Sequence, residues 1–280
     1  MRLLKSIYQP VLALALCVVA GAVFAQAKPA AKPYEPTVGQ SGKDVVWVPS
    51  PQALVDRMLD LAKLTPADIH YDLGSGDGRT VITAAKRGTR AYGIEYNPDM
   101  VELARRNAAK EGMSDKATFK QADIFTQASI DDYTKATVIT LFLLPDLNVR
   151  LRPTLLNMKP GTRVVSNSFT MGEWKSDETI NAGGDCTSWC TAHLWIIPAN
   201  VEGTWKLATG ELSLKQEFQM ISGTLKSGNV SSIISDAKML GDQISFSAGG
   251  RQYTGRVNGS TMEGSNKGGS GLGSWSATRQ

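Results

Sequence analysis

Between an apolar strand pattern at Ile69 to Leu73 and a helical pattern at Thr80 to Lys86, the chain reads Gly74-Ser75-Gly76-Asp77-Gly78-Arg79. Three glycines so closely spaced let a backbone turn tightly, approach a ligand and start a helix beside it. A dinucleotide-binding loop uses G-x-G-x-x-G and rests a pyrophosphate on the helix N-terminus. Here the spacing is G-x-G-x-G, and Arg79 stands where the third glycine of that pattern belongs. Two acids, Asp72 and Asp77, flank the bend. Acids suit a cationic, phosphate-free ligand better than a pyrophosphate, which weighs against a nicotinamide enzyme. Taken alone, the segment also admits the plain reading of a glycine-rich turn that holds nothing.

The surrounding pattern repeats the strand–helix alternation. Strands are expected at Ala91 to Glu95, Ala117 to Gln121, Ala136 to Leu143, Arg163 to Ser166 and Leu194 to Ile197. Helices are expected from Pro98 to near Gly112 and from Leu147 to Met158. An earlier helix, with Ser50 as its cap and Pro51 in first position, carries Leu54, Met58 and Leu59 on one stripe. This alternation predicts an α/β fold with a parallel, Rossmann-like sheet covered on both faces.

Acids recur at the ends of the first three strands. Glu95 lies about 20 residues after the bend, where a carboxylate can accept both hydroxyls of a ribose. Asp123 follows the third strand and can accept an adenine amino group, with Ile124 or Phe125 against the ring. Each acid alone is weak as a signal; Asp123 also reads as a helix cap. Their common register after Asp72 is the stronger observation.

Together these residues resemble the class I S-adenosylmethionine-dependent methyltransferases, whose first motif is an acid-x-G-x-G-x-G loop. More narrowly, the chain is similar to the Dot1-like branch and the ATP-synthase c-subunit lysine methyltransferase family. That likeness rests on Val48-Pro49-Ser50-Pro51, the Asp72 to Arg79 loop, Gly93-Ile94-Glu95-Tyr96-Asn97-Pro98 and Gly161-Thr162-Arg163-Val164-Val165-Ser166. It implies S-adenosylmethionine as cofactor and a protein amine, at lysine, as methyl acceptor. Carried onto this sequence, the cofactor residues are Tyr71, Asp72, Gly74, Ser75, Gly76, Asp77, Glu95, Asp123 and Ile124. No catalytic residue is assigned. A small-molecule acceptor stays open. Nucleic acid is disfavoured, because the Asn/Asp-Pro-Pro-aromatic motif of many amino-methylating nucleic-acid enzymes is missing.

Methyl transfer asks the protein mainly to align a nucleophile and exclude water. The stretch Thr140 to Asp146 is expected to line that pocket, with Tyr71, Asp146 and Asn148 as further candidates. His70 and His193 read as structural. The stretch Phe169 to Trp174 either covers a substrate channel or seals the end of the sheet.

Four segments follow. Residues 1–27 read as a signal peptide: Arg2 and Lys5, then an uncharged apolar run from Val11 to Phe24, then Ala25 and Ala27 at cleavage spacing. Residues 28–45 read as a flexible leader rich in Pro, Ala, Gly and Lys. Residues 46–199 are the cofactor-binding domain. Residues 200–280 lose helical periodicity and read as a small antiparallel β-barrel or sandwich, which the family resemblance leaves unexplained. Its Gly268 to Gly273 stretch is expected to be a loop.

Removing Arg2 and Lys5 lowers the formal charge from +4 to about +2, so overall basicity says little about partners. The expected location is periplasmic or secreted, with no membrane span after cleavage. Cys186 and Cys190 would then meet an oxidising compartment. A local disulfide, free thiols and a metal site with His193 all remain open from the spacing, and no metal is assigned. Because the methyl donor is made in the cytoplasm, a retired methyltransferase scaffold acting as an exported binding module is the competing reading.

Overall fold

The computed structural model describes residues 32–184, 186–268 and 271–280. The segment read from sequence as a signal peptide, 1–27, and the first residues of the expected leader lie outside the described residues. Residues 34–280 form one compact unit.

Seven strands make the first sheet: β1 (Ile69–Leu73), β2 (Arg90–Glu95), β3 (Ala117–Gln121), β4 (Val138–Leu141), β5 (Arg163–Asn167), β6 (Glu178–Asn181) and β7 (Thr191–Ile196). Their order is β3-β2-β1-β4-β5-β7-β6. The first five run parallel, and β7 is antiparallel to both neighbours. Strand β4, Val-Ile-Thr-Leu, is buried at every position, as a central parallel strand covered on both faces must be. The order reverses between β1 and β4, so a crevice opens at their C-terminal ends.

The covering helices are α1 (Gln52–Leu61), α2 (Arg79–Lys86), α3 (Pro98–Lys110), α4 (Gln127–Tyr133) and α5 (Pro145–Leu156). Leu54, Val55, Met58 and Leu59 form the buried stripe of α1. The expected Ser50 cap does not form. The N–H groups of Leu54 and Val55 bond to the Pro51 carbonyl, so the helix starts one residue later. The Ser50 hydroxyl is taken by Asn167 Nδ2 at 3.0 Å and its carbonyl by Arg79 Nη1 at 2.9 Å. On α3, Asn97 accepts the Asp99 N–H through its side chain and Pro98 occupies the first turn.

Residues 39–47, which include the last residues of the leader expected to be flexible (28–45), form a short ordered hairpin. The Gly39 N–H bonds to the Trp47 carbonyl at 2.8 Å and the Trp47 N–H to the Gln40 carbonyl at 2.9 Å. The Gly42 N–H closes the turn on Val45 at 2.9 Å. The polar, Gly-rich composition that suggested flexibility is what a tight turn also requires.

The second sheet has nine strands: β8 (Gly203–Leu207), β9 (Gly210–Glu217), β10 (Met220–Ser227), β11 (Val230–Ile233), β12 (Ser235–Leu240), β13 (Gln243–Ala248), β14 (Arg251–Asn258), β15 (Thr261–Gly268) and β16 (Gly271–Arg279). Pairing of β9 with both β8 and β10 closes it into an antiparallel barrel. Trp205, Leu212, Met239, Phe246 and Trp275 fill its inside. Of the expected Gly268–Gly273 loop, Gly268 instead ends β15 and Gly271 to Gly273 begin β16. Glycine serves here for close approach: a Cβ on Gly255 would lie 2.7 Å from the Trp275 ring, which lies across that strand.

The barrel is bonded to the α/β sheet. Trp174 Nε1 donates to Gln219 Oε1 at 2.9 Å, and Gln219 Nε2 donates to the Lys175 carbonyl at 2.8 Å. Phe218 stacks on Trp174 with ring centroids 5.7 Å apart. The Ala199 N–H bonds to the Gly241 carbonyl at 2.8 Å.

Candidate active site

The crevice at the strand tips is a cleft of about 1090 Å³, open to solvent. Strand β1 delivers Asp72 and then the glycine bend; β2 ends on Glu95; the turn after β3 supplies Asp123 and Ile124; β4 runs out into Phe142 and Leu143. Of the residues expected from sequence, Asp72, Gly74, Ser75, Gly76, Asp77, Glu95, Asp123 and Ile124 all line this cleft. Tyr71 does not. Successive strand side chains point to opposite faces. Tyr71 therefore leaves the cleft to Asp72 and stacks on Tyr92, ring centroids 4.8 Å apart.

The bend is built as its glycines allow. Gly74, Gly76 and Gly78 take φ of +81°, +52° and +83°. A Cβ on Gly76 would sit 2.9 Å from Trp47 Nε1, so the hairpin seats against the bend only because that residue has no side chain. Glu95 ties the bend to β2: its Oε2 accepts the Gly76 N–H and its Oε1 the Asn97 N–H, each at 2.9 Å.

Asp72 is buried, and burial pushes its carboxyl up to about 7, with Asp77 and Glu95 adding repulsion. The Thr140 hydroxyl donates to Asp72 Oδ1 at 2.6 Å and opposes that rise. His70 lies behind, its Nε2 2.9 Å from the same hydroxyl. Since that hydroxyl gives its proton to Asp72, it accepts from His70 Nε2–H. Burial holds His70 down to about 3, so the ring is neutral. It supports Thr140 and does not reach the cleft, in keeping with a structural role.

At the far side of the cleft, Asp123 is held below the usual carboxylate range by the Phe125 N–H on its Oδ1 at 2.9 Å and by Lys43. Lys43 Nζ lies 3.1 Å from Asp123 Oδ2, 2.7 Å from Asp44 and 5.3 Å from the centre of the Tyr96 ring. The hairpin of residues 39–47 thus bridges the cleft from Gly76 to Asp123. Arg79, the other cation at the site, is paired with Asp77 at 2.6 Å.

Both cations being neutralised by acids, Asp72 and Glu95 leave the cleft with net negative character. Ser75 Oγ is buried without a hydrogen-bond partner and lies against Gly93, where a Cβ would come within 2.5 Å of it. A bend that excludes side chains and acids at three strand tips fit a cationic nucleoside such as S-adenosylmethionine. They do not fit a pyrophosphate.

Other candidates are separated by the structure. Asn148 is buried and braces the loop after β5, its Nδ2 donating to Ser166 Oγ at 3.2 Å and to the Phe169 carbonyl at 3.2 Å. Asp146 does not line the cleft; it sits in the first turn of α5. The Phe169–Trp174 stretch is divided between two places. Phe169 lines a second, apolar cavity beside the cleft, while Trp174 is buried at the barrel seam. Cys186 and Cys190 form a disulfide. Among the described residues no group of three or more His, Cys, Asp or Glu is placed to hold a metal ion. Sequence reasoning missed the hairpin residues Lys43 and Trp47; a Gly-Lys-Asp turn ahead of an apolar stretch was the available signal.

Residues 72–178 match the ANTKMT methyltransferase domain. A protein-lysine N-methyltransferase of Saccharolobus islandicus is 42% identical over 139 residues, 49% of this chain and 84% of that protein. The ATP synthase c-subunit lysine N-methyltransferase of Rattus norvegicus is 35% identical over 119 residues, 42% of this chain and 53% of that protein. Among solved structures, an RNA methyltransferase of Salinibacter ruber, in complex with S-adenosyl-L-homocysteine, is 46% identical. It superposes with a TM-score of 0.50 over 55% of this chain and 96% of that one. All three matches leave a large part of this chain uncovered.

Proposed function

The chain belongs to the S-adenosylmethionine-dependent methyltransferases that carry the ANTKMT methyltransferase domain, and from that premise we propose that it methylates the side-chain amine of lysine in a protein. The observation that carries the proposal is the apolar cavity beside the cofactor cleft. Every residue lining it is aliphatic or aromatic. An ammonium entering such a wall loses its water, which favours the neutral amine. The neutral amine is the nucleophile, so the cavity itself supplies part of what a general base would otherwise do.

In this reading Asp72, Ser75, Gly76 and Glu95 hold the cofactor along the bend, and Asp123 with Ile124 receives its adenine. When bound, the cofactor would supply an electrophilic methyl: the amine lone pair would form the N–C bond as the S–C bond broke, the electron pair staying on sulfur and the ammonium's extra proton passing to water. The protein's own share is to hold both partners, keep water out of the apolar cavity, and present the amine uncharged.

A protein acceptor is supported by two relatives whose names specify lysine, the protein-lysine N-methyltransferase and the ATP synthase c-subunit lysine N-methyltransferase. The Salinibacter ruber relative, described as an RNA methyltransferase, favours RNA instead. Against RNA stands the cleft itself, where Lys43 and Arg79 are both engaged by acids and offer no free cation to a phosphate. The purified chain, given methyl-labelled cofactor, is to be offered envelope proteins and, separately, total RNA. Label on lysine, located by mass spectrometry, is expected. Label confined to RNA would sink the proposal.

We also propose export to an oxidising compartment. The N-terminal pattern of positive, apolar and small residues supports this, as does the disulfide between Cys186 and Cys190. Cell fractionation of the tagged chain tests it, and recovery only with the cytosol at full length would overturn it.

A further inference from the structure

We infer that the disulfide-closed loop Cys186–Cys190 is the specificity element for the methyl acceptor, with Trp189 as the outer aromatic wall of the acceptor channel; this rests on the amine-methylating reading above.

The second cavity, about 370 Å³ and open to solvent, is lined by Val45, Val48, Phe142, Leu144, Phe169 and Trp189 among others. It adjoins the cofactor cleft: Val45, Val48 and Phe142 line both. Three rings make one side of it. Phe142 and Phe169 lie 6.1 Å apart between centroids, and Trp189 is 5.6 Å from each. Phe142 directly follows β4, Phe169 lies two residues past β5, and Trp189 lies two residues before β7 in the disulfide-closed loop. Trp189 keeps 42% of its surface exposed.

Two features hold Trp189 in place. The loop's ends are fixed by the disulfide and by the Ala182 N–H on the Cys190 carbonyl at 2.8 Å. Within it, Trp189 adopts φ +56°, a left-handed conformation that a bulky residue does not take without constraint. Cutting the bridge removes one of the constraints that keep this conformation, and the ring is then free to leave the channel.

The wall also states what it takes. It offers aromatic faces and aliphatic side chains and no charged group. That chemistry receives an unbranched alkyl stem and, at its end, an amine or a methylated ammonium held against ring faces. A phosphate finds no cation in it. The occupant is therefore the butylamine side chain of lysine, and its capture depends on the oxidised loop.

The test uses the full chain labelled with 5-fluorotryptophan and saturated with S-adenosyl-L-homocysteine, the Trp189 fluorine resonance being assigned by Trp189→Phe. Titration with n-butylamine is expected to shift that resonance in the oxidised protein and not after reduction or in Cys186→Ser/Cys190→Ser. In parallel, kcat/KM for a lysine peptide is expected to fall at least tenfold in Trp189→Ala and on reduction, carried by KM. Trp189→Phe is expected to recover most of it, with cofactor affinity within twofold throughout. An unmoved resonance in the oxidised protein, or equal kcat/KM in the oxidised, reduced and Trp189→Ala proteins, overturns the inference. A shifted resonance with no lysine methylation by any form overturns the protein-lysine reading and leaves the amine channel standing, so the two failures are distinct.

Discussion

Thr140 on β4 donates its hydroxyl to Asp72 on β1 at 2.6 Å, across the point where the strand order reverses. This bond works against the burial that pushes Asp72 up to about 7. A cationic ligand beside Asp72 works in the same direction as Thr140. Cofactor binding should therefore lower the Asp72 pKa and release a proton near neutrality. Affinity is expected to rise with pH between about 6 and 8, the range below and around the raised value. Calorimetric titration in two buffers of different ionisation enthalpy measures the proton. Asp72→Asn should bind more weakly at pH 8 and lose the pH dependence; an unchanged dependence in that variant refutes the assignment.

The same group makes a prediction for the unliganded protein. The folded state holds the Asp72 proton where the unfolded state, with its ordinary carboxyl, has already lost it. The contribution of Asp72 to stability is therefore greatest below the ordinary carboxylate range. It declines as pH rises toward about 7. Thermal denaturation without cofactor should show Asp72→Asn gaining on the parent chain between pH 4 and 7. A constant difference over that interval would count against a raised pKa.

Gly76→Ala should damage both the bend and its cover. At φ +52° an alanine pays for a left-handed backbone, about 1 kcal/mol. Its Cβ also lands 2.9 Å from Trp47 Nε1, so the hairpin over the cleft must shift. Loss of measurable cofactor binding is expected alongside a small drop in Tm. Binding at the parental affinity would show that the hairpin does not shape the cofactor site.

Most of the α/β half was legible because its signals are periodic and local. The strand at Val138–Leu141 announces itself as an apolar run, and the acids at Asp72, Glu95 and Asp123 fall in one register at three strand tips. Three things were hidden for physical reasons. Tyr71 is adjacent to Asp72 in sequence yet faces away, since a strand alternates. The 39–47 hairpin is written in turn residues that read equally as slack chain, and only its long-range contacts to Gly76 and Asp123 distinguish the two. In the barrel, Gly264 and Gly273 sit inside strands where propensity argues against them. The nearby Gly255 shows why such glycines occur: the Trp275 ring fills the space a side chain would need.

Lys43→Ala should act on cofactor exchange more than on affinity. Lys43 holds the hairpin to Asp123, the carboxylate expected to receive the adenine amino group. Removing it frees that carboxylate and loosens the hairpin together. Both association and release, followed by stopped-flow fluorescence, are expected to speed up by a few-fold, and the salt dependence of release is expected to weaken. Slower release in the variant would show that the pair opposes closure.

Gln219→Leu tests how the barrel is fastened. The parent side chain accepts from the buried Trp174 indole at 2.9 Å and donates to the Lys175 carbonyl at 2.8 Å. Leucine fills similar space and satisfies neither group. Leaving a buried indole N–H unpaired costs about 1–3 kcal/mol. Trp174 in turn carries the carbonyl that receives Trp195 Nε1 at 2.9 Å, so the defect reaches β7 and the sheet behind the cleft. The variant is expected to unfold at lower denaturant concentration with the same m-value, because barrel and sheet are lost together. Two separated transitions, with cofactor binding surviving the first, would mean that the barrel is an independent appendage and that the seam contributes nothing to the enzyme half.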